Sequence, residues 1–415
     1  MEGDCSSIQT RGRRNHQHDN NGYLEEGRSK KQSSASESLH LELLDDTFLY
    51  NIENGGHIPC PLDRPVDYAD SLCSSCWKWG SKRQLGGKLK QIRQHSSPFG
   101  DANQRLAHYF ANGLEARLAG TGMLLSRPIS QSSATAADIL KAYELYVTIC
   151  PFRKMTNLCA NRTISRVVDK ATSVHIIDFG ISYGFQWPCF IYRQSLRPGG
   201  PGKIRVTGIE LPQPGFRPSE RVEETGRRLK RLADRMKVPF EYNAIAQKWE
   251  TIQYDDLKID RDRDEVIIVN CMYRLKNLPD DTVVVNSPRD DVLKLVKRIN
   301  PDIFLHGVIN ANAPREDRER LMFEREMIGR DAINVIACEG TQRVERPEPY
   351  KQWQTRNLRI GFRQVPLHQS IIKRVKNVKH DYHKDFIVDE DGQWILLGWK
   401  GKIIHAISAW KPAQE

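Results

Sequence analysis

Val174-His175-Ile176-Ile177-Asp178-Phe179-Gly180-Ile181-Ser182-Tyr183-Gly184 is the stretch on which the fold turns. Its first half is a short apolar run ending in Asp and Gly, as a strand buried on both faces requires. Its second half reads D-x-G-x-S-x-G. Glycines directly after a first strand let a backbone approach a nucleotide, and the N-terminus of the helix that follows favours anionic groups.

Working outward, the pattern repeats. Lys203–Glu210, Phe240–Ile245, Glu265–Tyr273 and Ile303–Ile309 are further strand candidates. Between them lie helical spans: Ser219–Met236 with Val222, Leu229, Leu232 and Met236 on one face, then 288–299 and 315–329. Strands alternating with helices predict a parallel α/β sheet. Trp394–Trp399 and Ile403–Trp410 flank Lys400-Gly401-Lys402, which predicts a C-terminal β-hairpin added at the sheet edge. Upstream, Asp101 and Gln104 form a capping-box start, and Leu106, Tyr109, Phe110, Gly113, Leu114 and Leu118 form one helical stripe ending at Gly120. A second stripe, Ile139, Leu140, Tyr143, Tyr146, Val147 and Cys150, closes at Pro151. The expected organisation is an α-helical cap over 88–165 and an α/β core over 172–412. Residues 1–58 are too polar to offset ordering entropy and read as disordered, with an irregular connector over 59–87.

Composition narrows the function classes. The 415 residues carry a net charge of +11 and a mean hydropathy of −0.59. Aliphatic stretches are short, so no membrane-spanning helix is expected, and the opening MEGDCSSIQT predicts no signal peptide. Acids and bases cancel over residues 1–95, so the whole positive excess lies beyond them and suits an acidic partner or nucleic acid. Nine irregularly spaced cysteines read as buried thiols, not as a disulfide framework.

Asp178, Gly180, Gly184 and Glu210 are the candidate cofactor-binding residues. Glu210 ends the second strand, where an acid accepts ribose hydroxyls, and together the four resemble an S-adenosylmethionine site. Against it, Ser182 replaces the middle glycine and Tyr183, Phe185 and Trp187 crowd the loop. Asn270-Cys271-Met272-Tyr273 also lacks the prolines of an amino-methylating site. The balance predicts no cofactor, no metal and no enzyme activity, with an S-adenosylmethionine-dependent methyltransferase as the alternative. His57, Cys60, Cys73 and Cys76 have zinc-ligand types, but as one cluster in a proline-rich stretch they read as accidental. His380 and His383 read as surface residues. Leu39-His40-Leu41-Glu42-Leu43 has the alternation of a corepressor-binding segment, and Arg11–Arg14 and Lys373–Lys376 are short basic strings of nuclear-import type.

Several strings in order resemble the GRAS family of plant transcriptional regulators, particularly its scarecrow-like members. Val174, His175, Ile176, Ile177 and Asp178 match its naming motif, followed by Gln186-Trp187-Pro188. Leu89–Gly122 and Ile139–Ile164 resemble its leucine-rich regions. Arg343, Val344, Glu345 and Arg346 match the downstream R-V-E-R stretch, and Ser408, Ala409 and Trp410 the closing motif. The resemblance implies a methyltransferase-like core with a helical cap. It also implies a nuclear regulator acting through other transcription factors or a second GRAS chain. Direct sequence-specific DNA binding is the second alternative.

Two departures stand out. Cys73–Gly87 replaces the family's opening helix, and Asn312-Ala313-Pro314 runs straight into Arg315-Glu316-Asp317 where an aromatic-rich helix is expected. A chain missing helices from a packed layer is expected to be less stable than its relatives, because lost burial costs about 25 cal/mol per Å².

Overall fold

The computed structural model describes residues 82–121, 141, 143, 144, 146, 147, 151–213, 215–260, 265–279, 287–309, 330–338 and 346–413. Among the described residues, nine strands form one sheet in the order β3-β2-β1-β4-β5-β9-β8-β7, with β6 pairing alongside β9. They are β1 (Ser173–Phe179), β2 (Lys203–Glu210), β3 (Phe240–Ala246), β4 (Val266–Met272), β5 (Ile303–Ile309), β6 (Phe362–Val365), β7 (Phe386–Asp391), β8 (Trp394–Trp399) and β9 (Lys402–Pro412). The first five are parallel. Strand order reverses between β1 and β4, the switch point at which doubly wound sheets place ligands.

The helices are α1 (Lys82–His95), α2 (Ala102–Ala119), α3 (Pro151–Val167), α4 (Trp187–Ser195), α5 (Glu220–Arg235), α6 (Pro288–Ile299), α7 (Arg330–Ala337), α8 (Tyr350–Ile360) and α9 (Gln369–Val378). Buried residues of α3, α4, α5 and α9 share one core with one face of the sheet, and those of α6 and α8 share a second core with the other. This two-sided burial is why β1, β4 and β5 read as nearly unbroken apolar runs. Trp394 and Trp410 are fully buried in the second core, as a packing role for these residues predicts.

Local signals were accurate where they rest on caps and periodicity. Asp101 accepts from the Asn103 and Gln104 N–H groups while Gln104 reaches back, and Gly120 ends α2 at φ 67°. Ser219 stands at the N-cap of α5, but its hydroxyl donates to Glu223 at 2.6 Å instead of accepting from the backbone.

One expectation needs correction. α1 begins at Lys82, inside the segment expected to be irregular. Pro151 is the first residue of α3, where its missing N–H costs nothing. The expected hairpin is present: β8 and β9 pair antiparallel, β9 extends the sheet beyond β5, and β7 adds a further strand outside β8. Leu114 of the first helical stripe is only 2% exposed and is therefore packed inside the protein. That packing brings α7 against α2: Arg117 donates to the Ile336 carbonyl at 2.7 Å, and a Cβ on Gly113 would lie 2.9 Å from Ile336 Cδ1. Segments 1–58, 315–329 and Arg343–Glu345, with the zinc-type cluster, the leucine alternation and Arg11–Arg14, lie outside the described residues.

Candidate functional site

The four candidate residues do come together at the C-terminal ends of β1 and β2. Asp178 points into the core beneath α4. One carboxylate oxygen accepts the Trp187 indole N–H at 2.7 Å, the other the Asn270 amide at 2.9 Å. Gln186 bonds Asn161 of α3 at 3.1 Å and meets the Asn270 amide at 3.3 Å. Asp178, Gln186 and Trp187 thus tie β1, β4, α3 and α4 into one buried polar network. Burial pushes the Asp178 carboxyl up to about 6 against the two hydrogen bonds, Glu210 adds to the rise, and Arg274 opposes it.

His175, on the opposite face of β1, is a second tether. Arg205 donates to its Nδ1 at 2.8 Å, which leaves Nε2–H to face the Thr207 hydroxyl at 2.8 Å. Glu265, almost wholly buried, pairs with Arg205 at 3.1 Å. Burial, reinforced by Arg205, holds the imidazolium down at about 3, so the ring is neutral. The His and Asp of the opening motif therefore each lock β1 to its neighbours, on opposite faces.

The glycine loop spends its donors on the chain itself. Gly180 and Ile181 N–H both reach the Ile209 carbonyl, and Gly184 N–H reaches Ile181. Ser182, at φ 53°, donates its N–H to Glu210 at 3.0 Å. The other Glu210 oxygen accepts from Leu211 N–H at 3.1 Å and from Arg274 at 2.8 Å. Burial alone would raise the Glu210 carboxyl, but Arg274 and Arg221 outweigh it and hold it below the usual range. Arg274 also lies over Gly180: a Cβ there would come within 2.5 Å of its side chain. Tyr183 and Phe185 stack on each other at 5.5 Å, and Phe185 lies 4.4 Å from the Tyr143 ring of the cap.

A nucleoside cofactor does not fit this arrangement. The acid that would accept ribose hydroxyls already accepts from two backbone N–H groups and the Arg274 guanidinium, and Arg274 covers the glycine that would admit a backbone-to-ligand approach. Sequence reasoning found the crowding aromatics but missed Arg274, which nothing links to Glu210 along the chain.

Elsewhere, Arg346, the described residue of the R-V-E-R stretch, is held by backbone bonds: its N–H donates to Lys276 and its carbonyl accepts from Arg289 at 2.6 Å. Arg289 is fully buried, pairs with Glu348 at 2.5 Å and lies 5.2 Å from the Trp353 ring. Lys373–Lys376 lies within α9, with Val375 buried. His383 is half-buried against Trp399. Among the described residues, no His/Cys/Asp/Glu group could hold a metal ion, and no helix is long and apolar enough to cross a membrane. Cys159 and Cys271 are buried thiols, each pushed up to about 12 by burial.

Fold and site together define a doubly wound sheet of methyltransferase-like topology, with Arg274 packed over the glycine loop. The GRAS domain family model matches residues 72–312 and 305–411, and the chain belongs to that family, whose members are plant transcriptional regulators. The match starts earlier than the expected residue 88, and its two pieces meet beside the departure at Asn312-Ala313-Pro314. The chain is 51% identical to Scarecrow-like protein 14 of Arabidopsis thaliana, over 83% of this chain and 48% of that protein. It is also 51% identical to Scarecrow-like protein 9 of the same plant, over 83% and 51%. It thus spans about half the length of these relatives. The crystal structure of SCL7 from Oryza sativa superposes with a TM-score of 0.66 at 25% identity, covering 84% of this chain and 100% of that one.

Proposed function

We propose that this chain acts in the nucleus as a regulator of transcription, through contacts with other transcription factors or a second GRAS chain, and that its α/β core is a scaffold without methyltransferase activity. The observation that carries this reading is the Arg274–Glu210 pair over Gly180, which fills the place of a cofactor with an internal ion pair. Family membership supports the regulatory role, and the self-contained packing of the loop supports its being structural.

The test has two arms. Calorimetric titration of S-adenosylmethionine into the full chain is expected to show no binding. Micromolar binding that Asp178→Ala abolishes would revive the enzyme alternative. A fluorescent fusion in plant cells is expected to accumulate in nuclei, and the chain tethered to a promoter through a foreign DNA-binding domain is expected to change reporter output. Exclusion from nuclei together with an unchanged reporter would overturn the regulatory reading.

A further inference from the structure

Charge is unevenly spread over the helices that cover one face of the sheet. Residues 153–203, which run through α3, β1 and α4 to the start of β2, hold eight Lys/Arg and two Asp. Asp178 is buried in the core, so Asp169 is the one exposed acid of this span. α3 and α4 themselves contain no acid. Just past the end of α4, Arg197 donates to the Ala171 carbonyl at 2.6 Å, which joins the two helix ends. Lys203 is held by Glu241 at 2.6 Å. Arg166 and Lys170 are exposed, Arg193 is half-buried, and among the described residues none of the three has a carboxylate partner. The Arg193 Nε is buried without a hydrogen bond. Apolar surface lies among these cations, since Leu196 is 62% exposed and Tyr192 half-buried.

Unpaired cations gathered on one face repel one another and attract an acidic occupant. The chain carries one of its own. Residues 32–77 hold eight Asp/Glu and one Lys/Arg, a net charge of −7. Within them, residues 37–53 hold five Asp/Glu and no Lys/Arg, with Leu39, Leu41, Leu43, Leu44, Phe48 and Leu49 between the acids. Acids and apolar side chains are thus interleaved in the segment as bases and apolar side chains are on the face. The segment ends 29 positions before Lys82. That length of chain reaches up to about 95 Å, whereas a body of roughly 330 residues has a radius of gyration of about 20 Å. Tethering also holds the segment at a local concentration on the order of a millimolar, so weak surface pairs suffice.

We propose that residues 37–53 dock on the α3–α4 face of their own chain, with their acids against Arg166, Lys170 and Arg193 and their apolar side chains over Leu196 and Tyr192. An acidic partner from outside must then compete with the segment for this face. The contact goes beyond the regulatory reading and does not depend on it.

The experiment is carbodiimide crosslinking of the full chain, as an equal mixture of unlabelled and isotope-labelled protein, with the joined peptides identified by mass spectrometry. Carboxylates of residues 37–53 are expected to join Lys170 within one chain. The yield should exceed by about tenfold that at Lys294, which is exposed on α6 across the sheet. In about 1 M salt, where screening acts within ~3 Å, this preference should vanish. Arg166→Glu, at an exposed position, should keep Tm and cut the Lys170 yield about fivefold. Should that variant lower Tm, Arg166→Gln takes its place, with a smaller drop expected. Equal yields at Lys170 and Lys294, a yield unchanged by salt or by the variant, or crosslinks that join labelled to unlabelled chains would overturn the proposal. The last result would make a second copy the occupant.

Discussion

Replacing Asp178 by Asn tests whether the aspartate of the opening motif is a buried structural charge. In the native chain its carboxyl is raised from 3.8 to about 6, first by burial. Native protein therefore holds a proton that the unfolded chain has released between those two values. Stability from this group is fully present below pH 3.8 and is lost as pH rises to about 6. The interval is worth about 3 kcal/mol at ~1.36 kcal/mol per pH unit. Asn cannot titrate, so the mutant lacks this slope. It also offers one carbonyl oxygen to two donors, Trp187 and the Asn270 amide, which subtracts an offset that does not vary with pH. Urea unfolding of both proteins from pH 4 to 7.5 gives the difference directly, because other titrating groups cancel. Wild-type stability minus mutant stability should fall by up to about 3 kcal/mol across the window, then level off. Parallel curves, constant to within about 0.5 kcal/mol, would refute the assignment of a desolvated carboxylate to this position.

Two further outcomes follow from the packing. Arg289→Ala removes the guanidinium that bonds the Leu278 and Arg346 carbonyls and pairs with Glu348. Glu348 keeps Arg356 at 3.2 Å, so the loss comes chiefly from the two carbonyls left without this donor; urea denaturation should show about 2–4 kcal/mol, against a near-neutral Lys294→Ala control. Gly113→Leu forces a side chain into Ile336 and the Ala332 carbonyl. It should cost about 1–3 kcal/mol and loosen α7 selectively. Hydrogen exchange is the check: faster exchange in α7 with β1 and β4 unchanged is expected, and uniform loss would contradict a locally packed cap.

Legibility along the chain divides by residue. β1, β2, β4 and β5 were readable because burial on both faces leaves mostly apolar residues along them. α2 was readable to the residue because Asp101 and Gly120 mark its ends. β6, at four residues, is too short to show a period. β7 hides because its outer half, Asp389-Glu390-Asp391, carries the charges that an edge strand uses to discourage further pairing. α1 was missed because Gly86 and Gly87 read as a break. The helix is held from outside, by Arg93 on Glu115 and Asn112 of α2.

What the sequence by itself determined is local in origin: the strands, the capped helices, the glycine loop at the first strand's end, and through them the doubly wound class and the family. What only the tertiary structure decided is which remote side chains share a place. Arg274 covers Gly180 and pairs with Glu210; Ile336 of α7 meets Gly113 of α2; His405 lies beneath Phe152 and Tyr273. Backbone periodicity and caps act over a few residues and leave a pattern in the chain. Joining distant segments costs loop entropy that grows only with the logarithm of their separation, so no sequence pattern marks the partners in advance. Whether a glycine loop is open to a cofactor or filled by an arginine is therefore settled only when the sheet has closed.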